Sequence, residues 1–335
     1  MNLGFTIPQN KLNVSEVIDT YDTMIDVIDE ITKVEYLSNC MENLETVKSL
    51  IDKGGVTPAI QSVFGQEFLN ASMEVTAGDI GRAVAKGLIA FGKAVLGLIS
   101  KIINFIKKFF SSKRKDIDGI IAKIEPVLGD MQNEPIKKGS TVNETLKLVN
   151  ICNSHFKVKF DTIMPKQNYA EKEVIRREAL SAFNKSVNVE AVVDKNYKLQ
   201  FQPAVLNDTT LKELGYSTAD KFRQVLNAIN DSKQNSNTAI TNLKNSNSAV
   251  ERMVKALEGN DFHNEQSNQG SVQVAFVYAK IIFSDVAALV RADNMVNAIV
   301  STCERHSRRF AKTDDDVSQD NSTAASPSTV TINNA

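Results

Sequence analysis

Residues 80–115 have the sequence IGRAVAKGLIAFGKAVLGLISKIINFIKKFFSSKRK, and the rest of the chain must fold around this stretch. Its large apolar side chains recur every three or four residues, as on one face of a helix, while most of its basic residues fall on the other side. We therefore predict one long amphipathic helix at residues 80–110. The basic residues of the segment are Arg82, Lys86, Lys93, Lys101, Lys107, Lys108, Lys113, Arg114 and Lys115.

Charge is divided sharply on either side of residue 80. Residues 1–79 contain 4 basic and 13 acidic residues, a net charge of −9, whereas residues 80–115 contain 9 basic residues and no acidic one. Residues 116–335 contain 26 basic and 27 acidic residues, so the total charge of −1 hides two adjacent segments of equal and opposite charge.

A helix with so much apolar surface and positive charge binds anions and membranes with little selectivity. Nucleic acid is one such anion, and we predict that the nine basic residues of residues 80–115 contact DNA or another anion. An acidic leader directly before the helix would mask this surface until the leader is removed or displaced. The simpler alternative is that the acidic helices pack permanently on the basic one in a single bundle.

The rest of the chain also has the periodicity of helices. In the acidic leader we predict helices at Ser15–Val34, Met41–Ile51 and Thr57–Phe68. A β-hairpin is expected at residues 188–202, where two short alternating segments flank Asp194-Lys195-Asn196. Further helices are predicted near 116–128, 140–152, 169–184, 219–257 and 272–310. The polar middle of the helix at 219–257 indicates either an exposed helix or a break.

These elements indicate a mainly α fold, a helical bundle with long helices, one small β-hairpin and a disordered C-terminal tail. The predicted segments are an acidic helical leader at 1–74, the basic amphipathic helix at 75–115, a mainly helical body at 116–312 and the tail at 313–335. The tail has almost no large apolar residues, which is typical of disorder.

The junction of the acidic and basic segments resembles that of a known family, the internal head proteins of large tailed bacteriophages. The matching residues are Ser72-Met73-Glu74, a small-x-Glu site, and the stretch AVAKGLIAFGKAVLGLISKIINFIKKFF that follows after a short spacer. The resemblance covers about residues 40–115. It implies that a phage prohead protease removes a propeptide by cutting between Glu74 and Val75.

The resemblance also implies a location and partners. Such a protein is made in the host cytoplasm and packaged inside the phage head, with DNA and other internal head proteins, and it can meet a membrane during infection. Cutting after Glu74 would remove 4 basic and 12 acidic residues and leave a chain of net charge +7, which favours retention on packaged DNA.

The small-x-Glu pattern occurs at three other places, ending at Glu67, Glu251 and Glu258. Glu74 differs from them because it alone lies between the acidic and the basic segment. The two C-terminal matches fall inside a predicted helix, where a protease cannot bind them as an extended strand.

The sequence gives no pattern of an enzyme or of a cofactor site. It lacks HExxH, GxSxG, Walker and GxGxxG motifs; its three histidines are widely separated from one another, and so are its three cysteines. Cys303 and His306 lie one helical turn apart, but no third group is evident to orient them. We therefore expect no catalysis, no metal and no cofactor, with free thiols in a reducing compartment.

A membrane function is the main alternative. Gly87–Ile106 is 20 residues long and apolar enough to suggest a span, although Lys93 and Lys101 would each cost about 2.5–3.5 kcal/mol near the bilayer centre. Their placement favours a helix that packs on protein or lies on a membrane surface. The rival hypotheses are therefore a membrane-active or ejection-channel protein acting through residues 80–110, and a cytoplasmic helical scaffold without processing.

Overall fold

The computed structural model of the chain describes residues 14–54, 77–111, 116–136, 139–163, 172–187, 209–259 and 265–320. Within these ranges the fold is mainly α, as predicted. The helices are α1 (Val14–Gly54), α2 (Ala77–Ser111), α3 (Ile117–Ile124), α4 (Leu128–Met131), α5 (Val142–Phe156), α6 (Lys172–Ser186), α7 (Ala219–Glu258) and α8 (Glu265–Asp320).

The longest helix, α8, forms the centre of the bundle, so the expectation that the chain folds around residues 80–115 is wrong. Between residues 272 and 300 its side chains are buried around most of its circumference, because apolar residues occur on every side of this segment and must be enclosed by protein. Helices α2, α5, α6 and α7 surround it. Ring contacts join α8 to α2, with centroid distances of 6.2 Å for Phe91 and Phe276 and 5.6 Å for Phe105 and Phe283.

Helix α7 is continuous through its polar middle, so the predicted break is absent there. Its buried residues follow steps of three and four, which is the spacing of a coiled-coil seam. The seam residues are Phe222, Val225, Ile229, Ser232, Ser236, Ala239, Leu243, Ser246, Val250, Met253 and Leu257. The buried serines donate hydrogen bonds to their own helix, as Ser236 does to the carbonyl of Lys233 at 2.7 Å.

A short antiparallel pairing joins two segments that are distant in sequence. Strand β1 (Pro135–Ile136) pairs with β2 (Thr209–Thr210), which lies far away in sequence. The β-hairpin predicted at 188–202 lies outside the described residues, as does the helix predicted at Thr57–Phe68. The sequence analysis did not predict the pairing of β1 with β2.

The predicted division of the leader into two helices before residue 54 is wrong, because α1 is continuous. Val34, Ser38 and Met41 are all buried, so the apolar stripe continues through the expected gap at three- and four-residue steps. The segment between Val34 and Met41 also contains neither Gly nor Pro, and nothing there interrupts the backbone hydrogen bonds.

Two other helix boundaries differ from the prediction. The helix expected at 116–128 ends at Ile124 and continues as a 3₁₀ turn at Glu125–Val127, because Pro126 has no backbone N–H and cannot extend an α-helix. Helix α8 continues to Asp320, beyond the expected end at residue 310, and residues 321–335 of the predicted tail lie outside the described residues.

Candidate functional site on the cationic helix

Helix α2 confirms the amphipathic pattern of its sequence. Its apolar stripe is buried, with Leu88, Phe91, Val95, Leu98 and Phe105 each 2% exposed or less. The described lysines of the helix, from Lys86 to Lys108, are all exposed. The helix therefore lies at the edge of the bundle, with its apolar side toward α7 and α8 and its lysines toward solvent or α1.

Gly92 allows α2 and α7 to approach closely. A Cβ atom at this position would lie 2.6 Å from Cγ2 of Val254 and 3.1 Å from Cε of Met253, which is too close for packed atoms. Gly97 differs, because nothing lies within 4 Å of the corresponding Cβ position. The two glycines of the same helix therefore have different roles, one in packing and one at the surface.

Helix α1 covers α2 in an antiparallel arrangement. Lys101 donates to a carboxylate oxygen of Glu30 at 2.6 Å, and Lys108 donates to the hydroxyl of Thr23 at 3.1 Å, so residue numbers rise along α2 as they fall along α1. Both alternatives of the sequence analysis, a removable mask and a permanent bundle, predict such a contact between the acidic leader and the basic helix. Such partly exposed ion pairs contribute little stability each, so apolar contacts must supply most of the attachment.

The apolar attachment of α1 runs along one face of the helix. Val27, Val34 and Met41 are its buried apolar side chains among the described residues, and the partly buried Met24, Ile31 and Leu37 also pack against the core. Polar contacts fix α1 on α8 as well, where Gln273 donates to the hydroxyl of Ser38 at 3.0 Å and Lys280 pairs with Glu35. A helix held in this way is a cover on the bundle, whereas α8 is part of its centre.

The other residues that we predict to contact an anion have surroundings different from those of Lys101 and Lys108. Lys93 pairs with Glu258 of α7 at 2.7 Å, whereas Lys86 and Lys107 are exposed and have no ionic partner among the described residues. Arg82 belongs to α2, but its side chain is outside the description. The predicted contacts Lys113, Arg114 and Lys115 and the predicted cleavage site Ser72, Met73, Glu74 and Val75 lie outside the described residues.

A buried polar group in the centre was missed by the sequence analysis. Nδ1 of His155 on α5 lies 2.9 Å from a carboxylate oxygen of Asp285 on α8, and both side chains are 0% exposed. The second nitrogen of His155 and the second oxygen of Asp285 have no hydrogen-bond partner among the described residues. The detectable signal was Asp285 itself, a carboxylate inside the apolar run IIFSDVAALV.

Burial controls the ionisation of this group. Desolvation raises the pKa of Asp285, and the neighbouring His155 opposes part of that rise. Burial also raises the pKa of the Cys152 thiol, which lies one helical turn from His155 and donates to the backbone oxygen of Asp285 at 3.6 Å. The Cys152 thiol is thus protonated at neutral pH, which makes it a packing residue.

Cys303 and His306, the pair considered for catalysis, also lie in α8. Burial raises the pKa of Cys303 to about 12, so its reactive thiolate form is negligible at neutral pH. Among the residues that the structure describes, no cluster of three His, Cys, Asp or Glu side chains could hold a metal ion.

Two described helices are long and apolar enough to cross a membrane by length and composition. In Gly270–Ser307, 89% of the most apolar window is buried inside the protein, against 50% in Val84–Ser111. The first belongs to the core helix α8. A helix in a protein core meets the same criteria of length and composition without a membrane. The second, within α2, has an exposed cationic side as well as a buried apolar one.

Comparison of the chain with known protein families, with curated protein sequences and with solved structures found no match.

Proposed function

We propose that the chain is a structural protein of a phage virion, packaged inside the head with DNA after proteolytic removal of residues 1–74. The observation that supports this most directly is the contact of Lys101 with Glu30. It places an acidic helix on the basic helix that the propeptide would mask, and Glu74 lies in the segment between these two helices.

Cleavage between α1 and α2 would have a direct electrostatic effect. The chain would change from a net charge of −1 to +7, and Lys101 and Lys108 would lose their partners on α1 when α1 leaves. Because phosphate contacts by lysine release counterions from DNA, the exposed α2 would bind DNA with an affinity that falls steeply with salt.

Release of α1 would also uncover apolar surface. Val27, Val34 and Met41 of α1 belong to the same buried apolar cluster as the stripe of α2, so the face of the bundle that they cover would be exposed. A mature chain without α1 would therefore favour a crowded environment that covers this face again. A phage head filled with DNA and other internal proteins is such an environment.

The position of the other small-x-Glu matches supports the choice of Glu74. Glu251 and Glu258 both belong to α7, and Val250 and Leu257, the residues before them, are buried in its seam. A protease binds its substrate as an extended strand, so a site inside a packed helix is protected. Glu67 does not belong to α7 and lies outside the described residues, and it is the natural control.

The decisive test is mass spectrometry of purified particles of the phage that encodes the chain. Peptides that begin at Val75, together with the loss of peptides from residues 1–74, are the expected result. In a phage carrying Glu74→Ala the cut should disappear, whereas the matched variant Glu67→Ala should be processed normally. Abundant leader peptides in mature wild-type particles would refute the processing, and absence of the chain from particles would refute the virion assignment.

DNA binding can be tested on the same folded molecule. A recognition sequence for a specific protease in place of residues 72–75 allows the intact chain to be cut after folding. We expect the cut protein to bind duplex DNA more tightly than the uncut protein, with a steep decrease in affinity as salt increases. Equal binding before and after the cut would contradict masking by α1.

Membrane activity remains a second candidate because α2 contains an apolar run of membrane-spanning length without an acidic residue. Leakage of liposomes with anionic lipids separates the two functions, since the cut protein should release their contents only if α2 acts on membranes. The uncut protein is the matched control. No leakage from either form would exclude this candidate.

A further inference from the structure

The outward sides of α1 and α2 carry two exposed rows of residues that match one another. On α1, the exposed row follows steps of three and four residues and consists of Asp22, Ile25, Asp29, Thr32, Tyr36 and Asn39. On α2, the exposed row follows the same steps and consists of Lys86, Ala90, Lys93, Gly97, Ser100, Asn104 and Lys107. Such steps place each row on one face of its helix, and both rows face solvent.

The α1 row is apolar and acidic. Ile25 is 52% exposed, Tyr36 is 69% exposed, and Ile28 beside them is 45% exposed; these are the exposed large hydrophobic residues of the described chain. The exposed carboxylates Asp22, Asp26 and Asp29 flank this apolar stripe on one side, and none of them has an ionic partner among the described residues. A surface of this composition fits a partner surface whose basic residues are separated by small or apolar residues.

The α2 row has that composition. Its exposed lysines Lys86 and Lys107 lack ionic partners within the described chain, and Lys93 has only a surface pair with Glu258. Between the lysines the row contains the small residues Ala90, Gly97 and Ser100, which leave space for large apolar side chains. The α1 row is anionic and the α2 row is cationic, so the two rows are complementary in charge.

Both rows open on the same side of the bundle. Helix α8 closes the inner side of the α1–α2 pair, because it contacts α1 through Ser38 and Gln273 and contacts α2 through Phe91 and Phe276. Within one protomer α1 and α2 meet through Glu30 and Lys101, so their outward rows cannot pack on one another. A second protomer can pack on both rows at once.

We propose that the intact chain forms a symmetric dimer in which α1 of each protomer packs on α2 of the other. The interface is self-complementary and closed, because a two-fold axis makes the contact of α1 with the opposite α2 twice. Its apolar part is the insertion of Ile25, Ile28 and Tyr36 among the small residues of the α2 row, and the lysines lie beside the carboxylates. The dimer belongs to the uncut chain and does not depend on the proposed maturation.

Analytical ultracentrifugation of the full-length chain is the first measurement. We expect a concentration-dependent dimer whose affinity decreases with added salt, since exposed charge pairs are screened. Asp22→Lys/Asp26→Lys/Asp29→Lys should weaken dimerisation by roughly 100-fold or more, because like charges would then face one another across the interface. A wild-type chain that stays monomeric at its solubility limit would overturn the proposal.

A charge exchange identifies the surfaces. The triple lysine variant has two positive rows, and Lys86→Glu/Lys93→Glu/Lys107→Glu has two negative rows, so each alone should be monomeric. Mixed together, the two variants should form a heterodimer with both contacts restored. Failure of the mixture to associate, when both variants are folded by circular dichroism, would overturn the proposed pairing.

A matched control tests for a general effect of charge. Asp130→Lys/Asp161→Lys/Asp231→Lys changes the net charge by the same amount at three exposed carboxylates outside α1. This variant should dimerise like the wild type. If it loses the dimer as completely as the α1 variant does, net charge and not the α1 row controls association, and the proposal is wrong.

Discussion

Helices α2 and α8 differ in length, with 35 and 56 residues, and they occupy different environments. Both contain a segment that is long and apolar enough to cross a bilayer, yet the most apolar window is 89% buried in α8 and 50% buried in α2. The difference follows from the placement of charge, because the lysines of α2 recur on one side, whereas residues 272–279 of α8 are apolar except for Gln273 and are buried throughout. Lysines that recur on one side of a helix therefore distinguish the edge helix α2 from the central helix α8.

The ionisable side chains of the two helices also differ in their exposure to solvent. On α2 the lysines remain at the surface, where ion pairs are weak and easily exchanged. On α8, Asp285 is fully buried and has a single side-chain partner, His155. Changes at Asp285 and His155 should therefore have large effects on stability, and changes among the lysines of α2 should have small ones.

The largest effect is expected from His155→Ala. Removing the imidazole would leave the buried Asp285 carboxyl without its partner, which typically costs about 1–3 kcal/mol of unfolding free energy, and the cavity left by the ring adds to this loss. Urea denaturation measures this loss. The double variant His155→Leu/Asp285→Leu should recover most of it, because it removes both polar groups together. A loss below about 1 kcal/mol in the single variant would mean that the pair contributes little.

A smaller effect is expected from Asp285→Asn, because the amide can still bond to His155, and this effect should depend on pH. Burial raises the pKa of Asp285, so the carboxyl contributes stability below its unfolded pKa and loses that contribution as pH rises through its folded pKa. Asparagine does not titrate. The unfolding free energy of the variant relative to the wild type should thus increase as pH rises from about 4. Denaturation curves at several pH values would test this, and a constant difference would contradict it.

The sequence predicted α2 and α7 well, because each has one dominant period over many residues. It did not predict that His155 and Asp285 meet, because they lie 130 residues apart and neither belongs to a local motif. The pairing of β1 with β2 was missed for a related reason, since each strand has only two residues. In the candidate site, the charge pattern predicted that α1 covers α2, but only the fold identified Glu30 and Thr23 as the residues in contact.

Gly92 lies on the packed side of α2, and Gly97 lies on its exposed side. Gly92→Ala places a methyl group against the stiff side chain of Val254, and such overpacking costs typically about 1–3 kcal/mol, more than the roughly 1 kcal/mol by which alanine favours a helix. The matched variant Gly97→Ala has open space and should stabilise the protein by about 0.5–1 kcal/mol. Thermal denaturation should therefore shift in opposite directions. A shift in the same direction would contradict the close packing of α2 on α7.

The smallest effects are expected from the ion pairs of α2. Lys101 with Glu30 and Lys93 with Glu258 have similar distances, 2.6 and 2.7 Å, but Glu30 is 16% exposed and Glu258 is 45% exposed. Double-mutant cycles to alanine should give about 0.2–1 kcal/mol for each pair, with the larger value for Lys101–Glu30 because water screens it less. Added salt should reduce both coupling energies. If the Lys101–Glu30 cycle gave no coupling energy, or if that energy did not respond to salt, the electrostatic part of the contact between α1 and α2 would have to be rejected. The apolar side chains of α1 and its polar contacts with α8 would then hold α1 in place.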